Sequence, residues 1–246
     1  MGSIAGVSPR FTARMAGLFY LLYVVIAGLA GFARRGILIG GDAAATATNI
    51  IAHQSLYQLG FACDLLSVAS YIIVVVLFHQ LLKPVNGTVS MLAACFGFMG
   101  CVIMAVGGVF QLAPLTVLGH PSYSRVFSAE QLQVQAYVLL KLYNQAYSIA
   151  LISFAFFDLL IGYLIFKSTF LPRILGVMMW LAGLAFLAFL APAFGARNLQ
   201  WILLLAVGEG LIILWLLVKA VDAERWKEQA RDTQSGIVAE GVQDRG

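Results

Sequence analysis

The chain has 246 residues, 61% of them hydrophobic and 11% charged, with a mean hydropathy of +0.92. An ordinary soluble domain is about 45–50% apolar and about 25% charged, so this composition excludes a disordered chain, a nucleic-acid-binding domain and a water-soluble enzyme. It describes an integral membrane protein, in which the net charge of +4 reflects Lys and Arg gathered at cytoplasmic flanks rather than a nucleic-acid partner.

A helix crossing an apolar layer of about 30 Å needs about 20 residues, and six segments qualify. The first spans 15–33, behind Arg10 and Arg14 and before Arg34-Arg35. It is longer than the 7–15 residues of a signal-peptide core and is expected to stay as an uncleaved span. Next, Gly40-Gly41-Asp42 is a helix start with Asp42 as candidate N-cap. The second span begins near Tyr57 and ends at Lys83-Pro84. From Asp42 to Lys83 no proline intervenes and Gly60 is the lone glycine, which predicts either one long helix or a kink at Gly60. Residues 43–58 mix Ala, Thr, Asn, His and Gln and suit an interfacial or capping helix.

The third span covers 88–112, where Gly97, Cys101 and Ala105 repeat at four and form a small-residue ridge for close packing. Ser128 is a candidate cap for a helix from Ala129 to Lys167, whose C-terminal part is the fourth span. The fifth lies between Pro172 and Pro192 and the sixth covers 198–218. None of the prolines falls inside a proposed span, as expected of residues that end helices. Trp201 and Trp226 fall near proposed interfaces, where indoles anchor. Residues 222–246 form a polar tail, expected as a short helical extension that frays into disorder.

These elements predict an all-α bundle: a six-span membrane domain over residues 1–221, with extended second and fourth helices forming an outer cap. With six spans both termini share one side. Lys and Arg outnumber those on the opposite side even though Arg34 and Arg35 dissent, which places both termini in the cytoplasm. Cys63, Cys95 and Cys101 all lie in apolar runs and form no disulfide framework.

Ionisable residues inside spans are costly and mark candidate sites. Counted from the cytoplasmic helix ends at about 1.5 Å per residue, Asp158 lies ~14 Å deep and Glu209 ~15 Å, whereas His79 is only ~6 Å in. The two acids therefore share a depth with no predicted basic partner, and at least one is expected to be neutral at pH 7. Either they form a proton or cation site between the fourth and sixth spans, or each bonds a neighbouring helix or water and holds the bundle together. A second group lies further out. Asp64 is placed ~28 Å up and Lys141 ~39 Å, a gap that tilt and Lys reach can close, with Arg34 or Arg35 as substitutes for Lys141. Tyr137, Lys141, Asn144 and Ser148 share one face of the fourth helix at spacings of 4, 3 and 4. His53 and Tyr57 are four apart at comparable height. His53, Tyr57, Asp64, Tyr137, Lys141 and Asn144 thus make a candidate outward-opening polar pocket, or else a helix surface that simply faces water.

Two histidines at one depth, needed for a haem, are missing, and no H-E-x-x-H, C-x-x-C or G-x-S-x-G occurs. No metal or cofactor is expected, and the motifs assign no catalytic residue. The stretches Ala13-Arg14-Met15-Ala16-Gly17-Leu18-Phe19-Tyr20-Leu21, Gly41-Asp42-Ala43-Ala44-Ala45-Thr46-Ala47, Asn49-Ile50, Asp64-Leu65-Leu66, Leu82-Lys83-Pro84-Val85-Asn86, Phe170-Leu171-Pro172-Arg173-Ile174-Leu175-Gly176, Gly208-Glu209 and Leu214-Trp215-Leu216-Leu217-Val218-Lys219 come in an order and spacing that resembles the bacterial DUF4386 family of multi-pass membrane proteins. The resemblance covers most of residues 10–221. It implies a bacterial inner-membrane location and supports six spans; it implies no catalytic residues. The expected role is binding or transport of a small molecule or cation among membrane lipids. The alternatives are an accessory protein without its own site and, less favoured, a membrane-embedded enzyme acting on a lipid or quinone.

Overall fold

The computed structural model describes residues 8–198, 200–201 and 207–243. Among them every regular element is helical: α1 Pro9–Ala33, α2 Ala43–Ala52, α3 Gln54–Leu82, α4 Gly87–Gly119, α5 Ala129–Lys167, α6 Arg173–Phe186 (extended by a 3₁₀ turn, Leu187–Leu190), α7 Pro192–Arg197, α8 Val207–Val218 and α9 Ala223–Gln243. Among the described residues five helices are long and apolar enough to cross a membrane: Pro9–Ala33, Gln54–Leu82, Gly87–Gly119, Ala129–Lys167 and Arg173–Leu190. The expected sixth span survives as the 12-residue apolar α8, because part of 198–206 lies outside the described residues. A 33-residue α4 and a 39-residue α5 run well past the 20 residues a bilayer requires.

Two sequence expectations need correction. The chain from Asp42 to Lys83 is neither continuous nor kinked at Gly60. It breaks at His53, whose φ of −119° and ψ of 37° leave the helical region. Gly60 stays helical because it lies against α1, where an added Cβ would meet Arg34 Cγ at 3.4 Å and the Ala30 carbonyl at 3.5 Å. Pro114, placed beyond the third span, lies inside α4. Its ring removes the donor to the Phe110 carbonyl. Such a break is tolerated where neighbouring groups supply other donors, and the next carbonyl, that of Gln111, accepts from the Tyr57 hydroxyl.

The chain divides into two compact units. One comprises Met1–Leu21, Ile72–Met99 and Leu151–Gly246; the other comprises Leu22–Tyr71 and Gly100–Ala150. In the first, close helix packing rests on glycine. A Cβ on Gly176 of α6 would stand 2.6 Å from the Gly162 carbonyl of α5, and one on Gly183 would stand 2.8 Å from the Ala155 carbonyl. The contacts descend α5 as they ascend α6, so the helices run antiparallel and repeat their small residues every seven positions, the period of shallow left-handed crossing. Gly208 of α8 lies as closely on the Met178 carbonyl, at 2.8 Å, and Gly17 of α1 lies against Leu216 and Leu217. The ridge expected at Gly97, Cys101 and Ala105 is less prominent: Gly97 receives Val75 and Phe157 side chains, not backbone.

The C-terminal tail belongs to this unit and is helical from Ala223 to Gln243. Asp222 caps it through the backbone N–H groups of Glu224 and Arg225, at 3.1 and 3.3 Å. Trp226 Nε1 donates to the Leu81 carbonyl at 2.8 Å and the Thr233 hydroxyl to that of Pro84 at 2.7 Å. The indole therefore anchors the tail to the 81–84 turn.

In the second unit α2 is capped by Asp42, which accepts from Ala45 N at 2.8 Å. It is tied to the preceding loop by Asn49 Nδ2 donating to the Gly36 carbonyl at 3.1 Å and the Thr46 hydroxyl to that of Ile39 at 3.1 Å. Its apolar face joins a small core of Ile37, Ile50, Tyr57 and Leu140. Ser128 caps α5 reciprocally with Gln131: Gln131 N donates to Ser128 Oγ at 3.2 Å and Ser128 N to Gln131 Oε1 at 2.9 Å, a capping box.

The glycine seam gives the first test. Gly176→Ala forces α5 and α6 apart and is expected to lower stability by about 1–3 kcal/mol, the usual cost of overpacking. Gly210→Ala, where nothing lies within 4 Å, should be neutral or slightly stabilising. Thermal unfolding in detergent compares the two.

Candidate functional site

Asp158 sits on α5 in the first unit and is 1% exposed. Its backbone is held against α6 at Gly183, where a Cβ would approach Asp158 Cβ to 3.2 Å. Among the described residues neither carboxyl oxygen has a hydrogen-bond partner. Glu209, in the first turn of α8, lies within electrostatic reach of it, and its position follows from the tight seat of Gly208 on α6. The Tyr20 hydroxyl of α1 donates to Glu209 Oε2 at 2.5 Å, whereas Oε1 is buried without a partner among the described residues. Tyr20 meets Phe78 edge-on at 6.2 Å between ring centroids, and Phe78 meets Phe157 at 6.3 Å. Two acids, three unpartnered buried oxygens and one phenol thus lie in an aromatic setting. Burying such oxygens without donors is costly, and the arrangement suits a proton or a small cation. Among the described residues no cluster of three or more His, Cys, Asp or Glu could hold a metal ion.

The second unit holds a different polar cluster. Arg34, just beyond α1, forms an ion pair with Asp64 of α3; its Nη2 also approaches Asp64 Oδ1 at 3.4 Å. Gln111 of α4 adds a third member, donating from Nε2 to Asp64 Oδ2 at 2.9 Å. Tyr57 and Tyr143 lie within electrostatic reach of both Arg34 and Asp64. The partner of Asp64 is therefore Arg34, the substitute in the sequence reading, and not Lys141. Lys141 instead lies over the ring of Tyr137, 5.1 Å from its centroid.

The pocket predicted around His53, Tyr57, Asp64, Tyr137, Lys141 and Asn144 divides accordingly. Tyr57 and Asp64 belong to the buried cluster. His53, Lys141 and Asn144 are exposed, and the Tyr137 hydroxyl accepts from Gly41 N at 2.7 Å. The stripe Tyr137, Lys141, Asn144 faces outward because the other stripe of α5, Ala136, Leu140 and Tyr143, carries the apolar surface; Ala136 and Leu140 are 1% and 5% exposed. Sequence reasoning missed Tyr20, Gln111 and Tyr143. The signal for Tyr143 was its place in that apolar stripe. Tyr20 and Gln111 gave none: Tyr20 shares its apolar run with Tyr23, and Gln111 is a single polar group in its own.

Five long apolar helices among the described residues define a multi-pass membrane protein. Its residues 15–220 match the DUF4386 family, a domain of unknown function, and the chain belongs to that family. Neither the curated proteins nor the solved structures contain a match.

The ion pair makes a quantitative test. Removing one member leaves the other buried and unpaired, so Asp64→Leu alone should cost roughly 2–3 kcal/mol, below the usual range because both side chains keep some exposure. Arg34→Met with Asp64→Leu should recover most of that loss. A double-mutant cycle on unfolding free energies measures it; additive losses would show that the pair does not act as a unit.

Proposed function

We propose that this chain binds a proton or a small monovalent cation at Asp158 and Glu209, within a six-span bundle of a bacterial inner membrane whose termini are both cytoplasmic. In this reading α8 is the inner half of the sixth span, and the long α5, with α2, raises a cap on the outer side. The observation that carries the reading is the pair of Asp158 oxygens, 1% exposed and without a donor among the described residues, beside a second acid. A fold that needed these acids only for packing would give them hydrogen-bond donors, because unsatisfied buried groups are costly. A proton or cation supplies what the side chains around them do not.

The near-complete burial of Asp158 favours one other reading, an accessory protein whose acids are merely sealed in. Linkage separates the two. A ligand that binds only the folded state at about a hundred times its Kd stabilises by about 2.7 kcal/mol. The unfolding midpoint of the wild type in detergent should therefore change between choline chloride and sodium or potassium chloride, or with pH. The Glu209→Gln and Asp158→Asn variants should fold and lose most of that dependence. A wild-type midpoint indifferent to cation and pH supports the accessory reading and removes the binding one.

A further inference from the structure

A groove of about 680 Å³ runs along the second unit, lined by Phe61 and Leu65 of α3, by α4 from Ala105 to Val117, and by Tyr123, Phe127 and Gln135. Its size falls within the range of small-molecule sites and its walls are predominantly apolar. At Phe61 and Leu65 it adjoins a narrow cleft of about 10 Å³ that these two residues also line, together with Asp64, Gln111 and Tyr143. That is room for about one water-sized group. Gln111 is 1% exposed. Its amide orientation is fixed, because Nε2 must donate to the carboxylate of Asp64, 2.9 Å away. The other end, Oε1, is therefore an acceptor, and it is buried without a donor among the described residues. The cleft thus has one vacant acceptor, room for one small donor and a wide apolar trough next to it. Phe61 stands at the junction, its ring accommodated by the missing side chain of Gly108, where a Cβ would meet Phe61 Cε2 at 3.0 Å.

We propose that this groove binds a neutral long-chain amphiphile ending in a hydroxyl, with the chain along α3 and α4 and the hydroxyl in the cleft donating to Gln111 Oε1. A charged headgroup does not fit a cleft of that size, and Arg34 is already engaged by Asp64. A carbonyl headgroup would set acceptor against acceptor. The site is independent of the Asp158–Glu209 pair and stands whether or not that pair binds a cation.

The test uses the full chain in phosphatidylcholine nanodiscs with two probes, a long-chain alcohol carrying a photoreactive diazirine in its tail and the methyl ether of the same molecule. Cross-linked peptides are mapped by mass spectrometry. The alcohol should label the segments around Phe61 and Ala105–Val117 about fivefold more than the ether, the ratio expected for one neutral hydrogen bond. Gln111→Leu should bring the alcohol down to the level of the ether. Because that change also touches Asp64, Ala113→Phe provides a second variant, which fills the groove and leaves the polar cluster intact; it should reduce labelling of the groove by the alcohol to that of other lipid-facing segments. Equal labelling by alcohol and ether, or alcohol labelling unchanged in a folded Ala113→Phe protein, overturns the proposal.

Discussion

A charge within an apolar bundle must find its partner in the protein, since hydrocarbon offers none and the desolvation cost is several kcal/mol even on lenient scales. The two units meet this constraint differently. In one, Asp64 is answered by Arg34 and Gln111, so that a carboxylate, a guanidinium and an amide close most of their bonds among themselves. In the other, the Tyr20 hydroxyl donates to Glu209, and among the described residues Asp158 has no donor at all. The first arrangement is what a stable fold requires. The second is held in place by tight glycine contacts at Gly183 and Gly208 and leaves three buried carboxyl oxygens without a donor among the described residues, which is why the functional reading rests on it.

Backbone geometry obeys the same constraint. Apolar surroundings oblige every backbone group to bond within the protein, and the irregular points of this chain show how that is met. At Pro114 the disturbed turn of α4 lies beside the Tyr57 hydroxyl, which bonds the Gln111 carbonyl. At His53 the break between α2 and α3 leaves the His53 N–H bonded to the Asn49 carbonyl and the Tyr57 N–H to the His53 carbonyl, at 2.9 and 3.0 Å. The connection at 34–42 is closed by Asn49 and Thr46 side chains bonding loop carbonyls, with Gly36 and Gly41 adopting positive φ.

Much of the architecture was legible in the chain. Hydropathy and proline spacing set the second, fourth and fifth long helices within a few residues, and the first at its end though not at its start, which lies at Pro9; Ser128 and Asp42 were readable as caps because an oxygen-bearing side chain ahead of an apolar run has one obvious use. The break at His53 was not, since no proline or glycine marks it; it comes from the tertiary seat of Ile50 and Tyr57 in one small core. Nor was the passage of α4 through Pro114, because the hydroxyl that bonds the Gln111 carbonyl comes from a residue 54 positions before Gln111. Counting along single helices brought Asp158 and Glu209 to one depth, yet it could not choose between Arg34 and Lys141 for Asp64. That choice depends on how α1 ends relative to α3, which helical periodicity does not encode. The outward stripe on α5 shows the other limit: polar residues at helical spacing mark a face, and only the packing of Ala136 and Leu140 shows which way it points.

The central claim is that the intramembrane acids turn away from the acyl chains. A lipid-soluble carbodiimide, which modifies carboxyls reachable from the hydrocarbon, tests it directly in reconstituted bilayers with modification mapped by mass spectrometry. The account predicts that Asp158 stays unmodified under conditions in which a carboxyl introduced on the exposed face of α8, as in Leu214→Glu, reacts fully; Leu214 is 58% exposed. Modification of Asp158 at the rate of that reference carboxyl would contradict it.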